Sequence, residues 1–122
     1  MAEIVDQKRA AFRVNLELPV RILAPVDADA FSLDMSVTGI LIDRIINLPV
    51  GDDLPIAINV TEYARATDEA HLQVSARIAR HVPKKNHTAL EFVGLTYLQE
   101  KLLSRIISER QRHLLVTSKN VR

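Results

Sequence analysis

Between residues 12 and 24 the chain alternates apolar and polar side chains almost without interruption. Val14, Leu16, Leu18, Val20 and Ile22 share one side; Arg13, Asn15, Glu17, Pro19 and Arg21 share the other. A period of two over this length reads as a half-buried strand. Pro19 removes a backbone donor, so the strand is expected to lie at an edge or to bend there.

The same period recurs along most of the chain. Phe31 and Leu33 begin a second strand that runs into Asp34, after a turn at Asp27 to Asp29. Gly39 opens a third through Ile40, Leu41 and Ile42, and Ile56, Ile58 and Val60 mark a fourth. Thr61 to Ala70 is polar and reads as a loop with room for one helical turn. Leu72, Val74, Ala76 and Ile78 form a fifth strand, and Thr88, Leu90 and Phe92 a sixth, with a turn at Pro83 to Asn86 between them.

After Gly94 the period changes. Leu95, Leu98, Leu102, Leu103, Ile106 and Ile107 fall at helical spacing, which predicts an amphipathic helix over residues 96–113. Six short strands and a final helix point to a mostly β fold. A small antiparallel barrel capped by the helix is expected. The expected organisation is a flexible arm at 1–7, one domain at 8–116 and a flexible tail at 117–122.

Bulk properties narrow the function. A chain of 122 residues is one domain, long enough to bury a core without covalent staples. With no cysteine it has no disulfide, thiolate metal site or cysteine nucleophile. No apolar run approaches the roughly 20 residues of a membrane-spanning helix. The acidic start (Glu3, Asp6) is unlike a secretory signal. A cytoplasmic protein without a membrane partner is therefore expected. The net charge of +1 and the scarcity of aromatic side chains argue against a nucleic-acid polymer as partner. Basic residues instead form small clusters: Lys8, Arg9 and Arg13, and later Arg105, Arg110 and Arg112. Three cations together suit a small phosphorylated ligand. The histidines lack metal-ligand spacing, and neither a nucleophile motif nor a glycine-rich phosphate loop is present. No enzyme, metal or cofactor is expected.

Two segments carry ligand chemistry. Arg9-Ala-Ala-Phe-Arg13 sets two guanidinium forks four residues apart ahead of the first strand. Such forks suit phosphate oxygens or the O6 and N7 of guanine. Asp34-Met-Ser-Val-Thr-Gly39 combines a carboxylate, a hydroxyl and a glycine. Asp34 could accept the N1–H and N2–H of guanine, and Ser36 could bond a phosphate or a base edge. Gly39 permits close backbone approach or a positive φ. Taken singly, the first segment also describes a solvated arm and the second an ordinary turn.

In this order, and with these strands, the chain resembles the PilZ domain family over residues 7–115. That family pairs an Arg-x-x-x-Arg motif with a later Asp/Asn-x-Ser-x-x-Gly motif. The resemblance implies a six-stranded β-barrel that binds the second messenger cyclic di-GMP. Arg9 and Arg13 would then grip the guanine Hoogsteen edge and the phosphates, Asp34 and Ser36 would read the guanine, and Gly39 would leave room for it. Lys8 occupies a position that bears on whether one or two ligands are held. Family members often carry a glycine near Ala89, where this chain departs from the pattern. The expected function is a cyclic di-GMP receptor whose arm orders on binding and signals to a protein partner. Two alternatives are a ligand-independent adaptor for a motility or secretion protein and a small single-stranded RNA-binding barrel. Ligand stoichiometry and oligomeric state are left open.

Overall fold

The computed structural model describes residues 13–63 and 71–121, with side chains to residue 112. Seven strands run β1 (Val14–Asn15), β2 (Pro19–Ile22), β3 (Ala28–Met35), β4 (Gly39–Ile42), β5 (Asp53–Asn59), β6 (His71–Val82) and β7 (His87–Val93). One helix, α1 (Tyr97–Val121), follows. All pairings are antiparallel. The order β3-β2-β5-β6-β7-β4 returns to β3 and closes a ring of six. Closure leaves no long edge for another chain to extend.

The alternating segment at residues 12–24 is one line of chain in two pieces. β1 pairs with β3 through Val14↔Met35 and Asn15↔Asp34, while β2 pairs through Pro19↔Phe31 to Ile22↔Ala28. Between them the pairing is irregular, and the buried Ser32 of β3 bridges the gap. Its hydroxyl donates to the Leu16 carbonyl and accepts from the Leu18 amide at 2.8 Å. The alternation nevertheless persists: Val14, Leu16, Leu18, Val20 and Ile22 are all buried. Pro19 begins β2 and does not place it at an edge, since β2 pairs on both sides.

The interior is built from β-branched and leucine side chains. Ile22, Ile40, Ile42, Ile56 and Ile58 are fully inaccessible. Leu102, Leu103, Ile106 and Ile107 of α1 join the same cluster, so the helix adds its apolar stripe to the barrel core. Its start is set by a reciprocal cap. Thr96 N–H donates to Gln99 Oε1 at 3.0 Å, and Gln99 N–H to Thr96 Oγ1 at 3.1 Å. Gln99 also donates to the Gln73 carbonyl of β6, and Arg110 Nε donates to the Asn15 carbonyl of β1 at 2.9 Å. The helix is thus tied to two strands as well as to the core.

The helix runs past residue 113, the end expected from the sequence, as far as Val121. The expected loop after β5 starts with a single 3-10 turn at Thr61–Tyr63. The expected arm at residues 1–7 lies outside the described residues. Among the described residues no helix is long and apolar enough to cross a membrane, and no group of three His, Asp or Glu side chains is placed to hold a metal ion.

Candidate functional site

Arg13 and Asp34 meet on the outer face of the barrel. Asp34 faces outward near the end of β3, opposite Asn15 of β1. Arg13 immediately precedes β1, and its Nη1 donates to Asp34 Oδ1 at 2.5 Å. The pair is diagonal across the ladder, a spacing that long side chains bridge. It remains open to water: the Arg13 side chain is 47% exposed and that of Asp34 25%. An ion pair in such a setting contributes little to stability, on the order of 0–1 kcal/mol. Its side chains can therefore exchange partners at small cost.

Ser36 and Gly39 serve the turn between β3 and β4. Ser36 is fully buried. Its Oγ accepts from the Thr38 amide at 3.1 Å and lies 3.0 Å from Thr38 Oγ1. Its own amide donates to the Gly39 carbonyl at 2.9 Å. The Thr38 carbonyl in turn accepts from Phe92 N–H at 2.9 Å, which fastens the turn to β7. Gly39 has no positive φ. What excludes a side chain there is β7: a Cβ would lie 2.4 Å from the Leu90 carbonyl oxygen. The glycine is required by strand packing inside the protein. Together the two residues fasten the loop that follows β3.

Of the residues singled out from the sequence, the structure brings Arg13 and Asp34 together directly and sets Ser36 and Gly39 in the adjoining turn. Lys8 and Arg9 lie outside the described residues.

Other charged groups cluster elsewhere. Arg21 of β2 holds Asp27 at 2.6 Å and Asp29 at 3.0 Å, and these carboxylates raise its pKa, the hydrogen bond to Asp29 foremost. Arg77 of β6 holds Asp53 of β5 at 2.9 Å. A shallow outer groove lined by Pro19, Arg21, Phe31, Ala57, Asn59 and His71 lies beside the first cluster and includes no motif residue. Tyr63 has its phenol pKa raised, chiefly by burial, with Arg110 opposing.

Comparisons with known proteins agree with this fold. Among solved structures, the chain is similar to the Escherichia coli protein YcgR in complex with c-di-GMP. The TM-score is 0.75 at 18% identity, covering 94% of this chain and 51% of that one. It is also similar to the Bacillus subtilis inhibitor of motility MotI/DgrA, with a TM-score of 0.72 at 20% identity, covering 88% of this chain and 52% of that one. The chain thus spans about half the length of both. The isolated PilZ domain of E. coli YcgR with c-di-GMP matches with a TM-score of 0.69 at 18% identity, covering 93% and 98% of the two chains. No curated protein matches the chain in sequence. The family model for the PilZ domain matches residues 7–109, the whole barrel and about the first half of the helix. With the ring of strands, the outward aspartate and the arginine beside it accounted for, the chain belongs to the PilZ domain family.

Proposed function

We propose that the protein is a receptor for cyclic di-GMP that uses Arg9, Arg13 and Asp34 as its chemical contacts. The observation that carries this reading is the juxtaposition of Arg13 with Asp34 on an exposed face, at the motif positions of the family. Two of the similar structures, both of E. coli YcgR, are described with c-di-GMP, which favours the same ligand class.

The exchange would run as follows. A guanine presents N1–H and N2–H to Asp34 and takes the place of Arg13. Arg13 turns to the ligand's own acceptors, the guanine O6 and N7 or a phosphate, with Arg9 beside it. An anionic ligand draws the guanidinium away from the carboxylate, so its charge offsets the loss of the ion pair. Ser36 and Gly39 act through the loop, holding Asp34 in position. Lys8 adds a further cation to the arm and bears on the number of ligands held. Ordering of the arm across this face would then offer a new surface to a protein partner. The B. subtilis neighbour is named an inhibitor of motility. Motility proteins are accordingly the first partner class to test.

Calorimetric titration with cyclic di-GMP tests the reading. Binding that is lost in Arg13→Ala and Asp34→Ala supports it; absence of heat with the native chain at micromolar ligand overturns it. The second outcome would favour the ligand-independent adaptor. That reading draws on the same observation, because Arg13 and Asp34 already satisfy each other.

A further inference from the structure

Among the described strands, β1 alone stands outside the closed ring of six, and it carries the approach to the candidate site. It is two residues long and pairs only with β3, so its far edge is open. Leu16 N–H donates to the Leu33 carbonyl of β3 at 3.3 Å. Backbone groups of successive strand residues point to opposite edges, so the Asn15 carbonyl turns away from β3 toward the open side. A carbonyl there needs a partner from elsewhere in the chain or from water.

The helix supplies it. Arg110 Nε donates to the Asn15 carbonyl at 2.9 Å, across 95 positions of sequence. Ile106 and Ile107, one turn earlier on α1, are buried in the barrel core, which fixes the helix surface from which Arg110 reaches. The phenol of Tyr63, in the turn after β5, meets the same guanidinium. Burial foremost raises its pKa, while the charge of Arg110 and a hydrogen bond with it oppose the rise. Arg110 is thus engaged from two sides and joins α1, β1 and that turn.

β1 in turn leads to the site. Asn15 is the residue opposite Asp34, and Arg13, two positions earlier, donates to that carboxylate. A contiguous series of contacts therefore runs from the core through Ile106 and Ile107 to Arg110, then to β1, and from β1 to Arg13 and Asp34. A ladder of two residues holds a strand weakly by itself.

We propose that Arg110 is a positioning residue for the nucleotide site: by fastening the open edge of β1 it sets the place from which Arg13 meets the ligand. This rests on the receptor reading above. Without the bond, β1 samples other placements, and only the fraction with Arg13 beside Asp34 is ready to bind. Apparent affinity falls by that fraction. The loss appears in the association rate, because the contacts made by the seated ligand are unchanged.

The test compares the native chain with Arg110→Ala and with Arg112→Ala, which removes the same charge from an exposed position further along the helix. Titration and stopped-flow mixing with cyclic di-GMP give affinity and rates. Amide hydrogen exchange of the ligand-free chains reports local opening. Arg110→Ala is expected to bind about tenfold more weakly, through slower association. Its Leu16 amide should exchange faster than in the native chain, with β5 and β6 unchanged. The variant is expected to fold, since Ile106 and Ile107 still anchor the helix. Arg112→Ala should match the native chain in every measurement. Native-like affinity of Arg110→Ala would overturn this proposal and leave the receptor reading standing. A loss carried by faster dissociation would make Arg110 a ligand contact, and an equal loss in Arg112→Ala would make the effect one of general charge. Either result overturns the positioning role. If the native chain does not bind cyclic di-GMP, the receptor reading fails and this one fails with it.

Discussion

Two arginine–aspartate clusters lie on the outer surface of the barrel, one toward each end of β3. At one end, Arg21 is held by two carboxylates, Asp27 and Asp29, all within a single turn and its flanking strands. At the other, Arg13 has one carboxylate, Asp34, and stands at the entrance to a strand of only two residues. The first cluster is locally complete, with more acid than base. The second is balanced one to one and anchored by a short ladder. Both are exposed ion pairs, yet an anionic ligand would meet two carboxylates at the first and one at the second. Identical side-chain chemistry thus serves a turn in one place and a candidate site in the other, and the surrounding backbone decides which.

Substitutions can break this contrast in order of expected size. Asp34→Ala should weaken cyclic di-GMP binding by about 10- to 100-fold, the loss of a charge-assisted pair of hydrogen bonds. Asp29→Ala should leave binding unchanged in the same titration. If both variants bound alike, the two clusters would not differ in function. Gly39→Ala should destabilise the fold by about 1–3 kcal/mol, because its Cβ meets the Leu90 carbonyl on a fixed strand. Denaturant unfolding measures this cost, and a native-like midpoint would show that β7 can yield. Ser36→Ala should cost about 1 kcal/mol in the same assay by removing the hydroxyl that accepts from Thr38 N–H. Any loss of affinity should follow from a looser Asp34.

Arg21→Ala should change stability by less than about 0.5 kcal/mol and leave binding untouched. Tyr63 adds a smaller, pH-dependent distinction. Its phenol pKa is raised in the folded chain, so the folded state holds the proton longer than the unfolded one. The stability associated with that shift is complete below the unfolded pKa of about 10 and is lost as pH rises through the folded value. Tyr63→Phe should therefore flatten the alkaline limb of a pH–stability curve while leaving the neutral region nearly unchanged.

Much of the barrel was legible because the inward face of each strand is written in period two. The Val14 to Ile22 series is buried throughout, although β1 and β2 are separate strands. Closure was less legible, since which strands become neighbours depends on the pairing of β3 with β4 and not on any single segment. In the candidate site, Arg13 and Asp34 stood out through the joint spacing of two motifs, since either segment alone also describes an arm or a turn. Ser36 and Gly39 were read toward the ligand, whereas their hydrogen bonds and packing turn toward the loop and β7. A short motif does not distinguish residues that touch a ligand from those that shape the backbone presenting it.

One-residue register shifts at Leu33 of β3 and Ala79 of β6 bend the barrel wall without disturbing which side chains fill the core. Deleting Ala79 would restore unbroken alternation with Arg80 still outward as the residue after Ile78, so a one-codon change there would fall on the curvature of the wall. Comparing sequences of related barrels therefore requires counting residues between buried positions as carefully as identifying them.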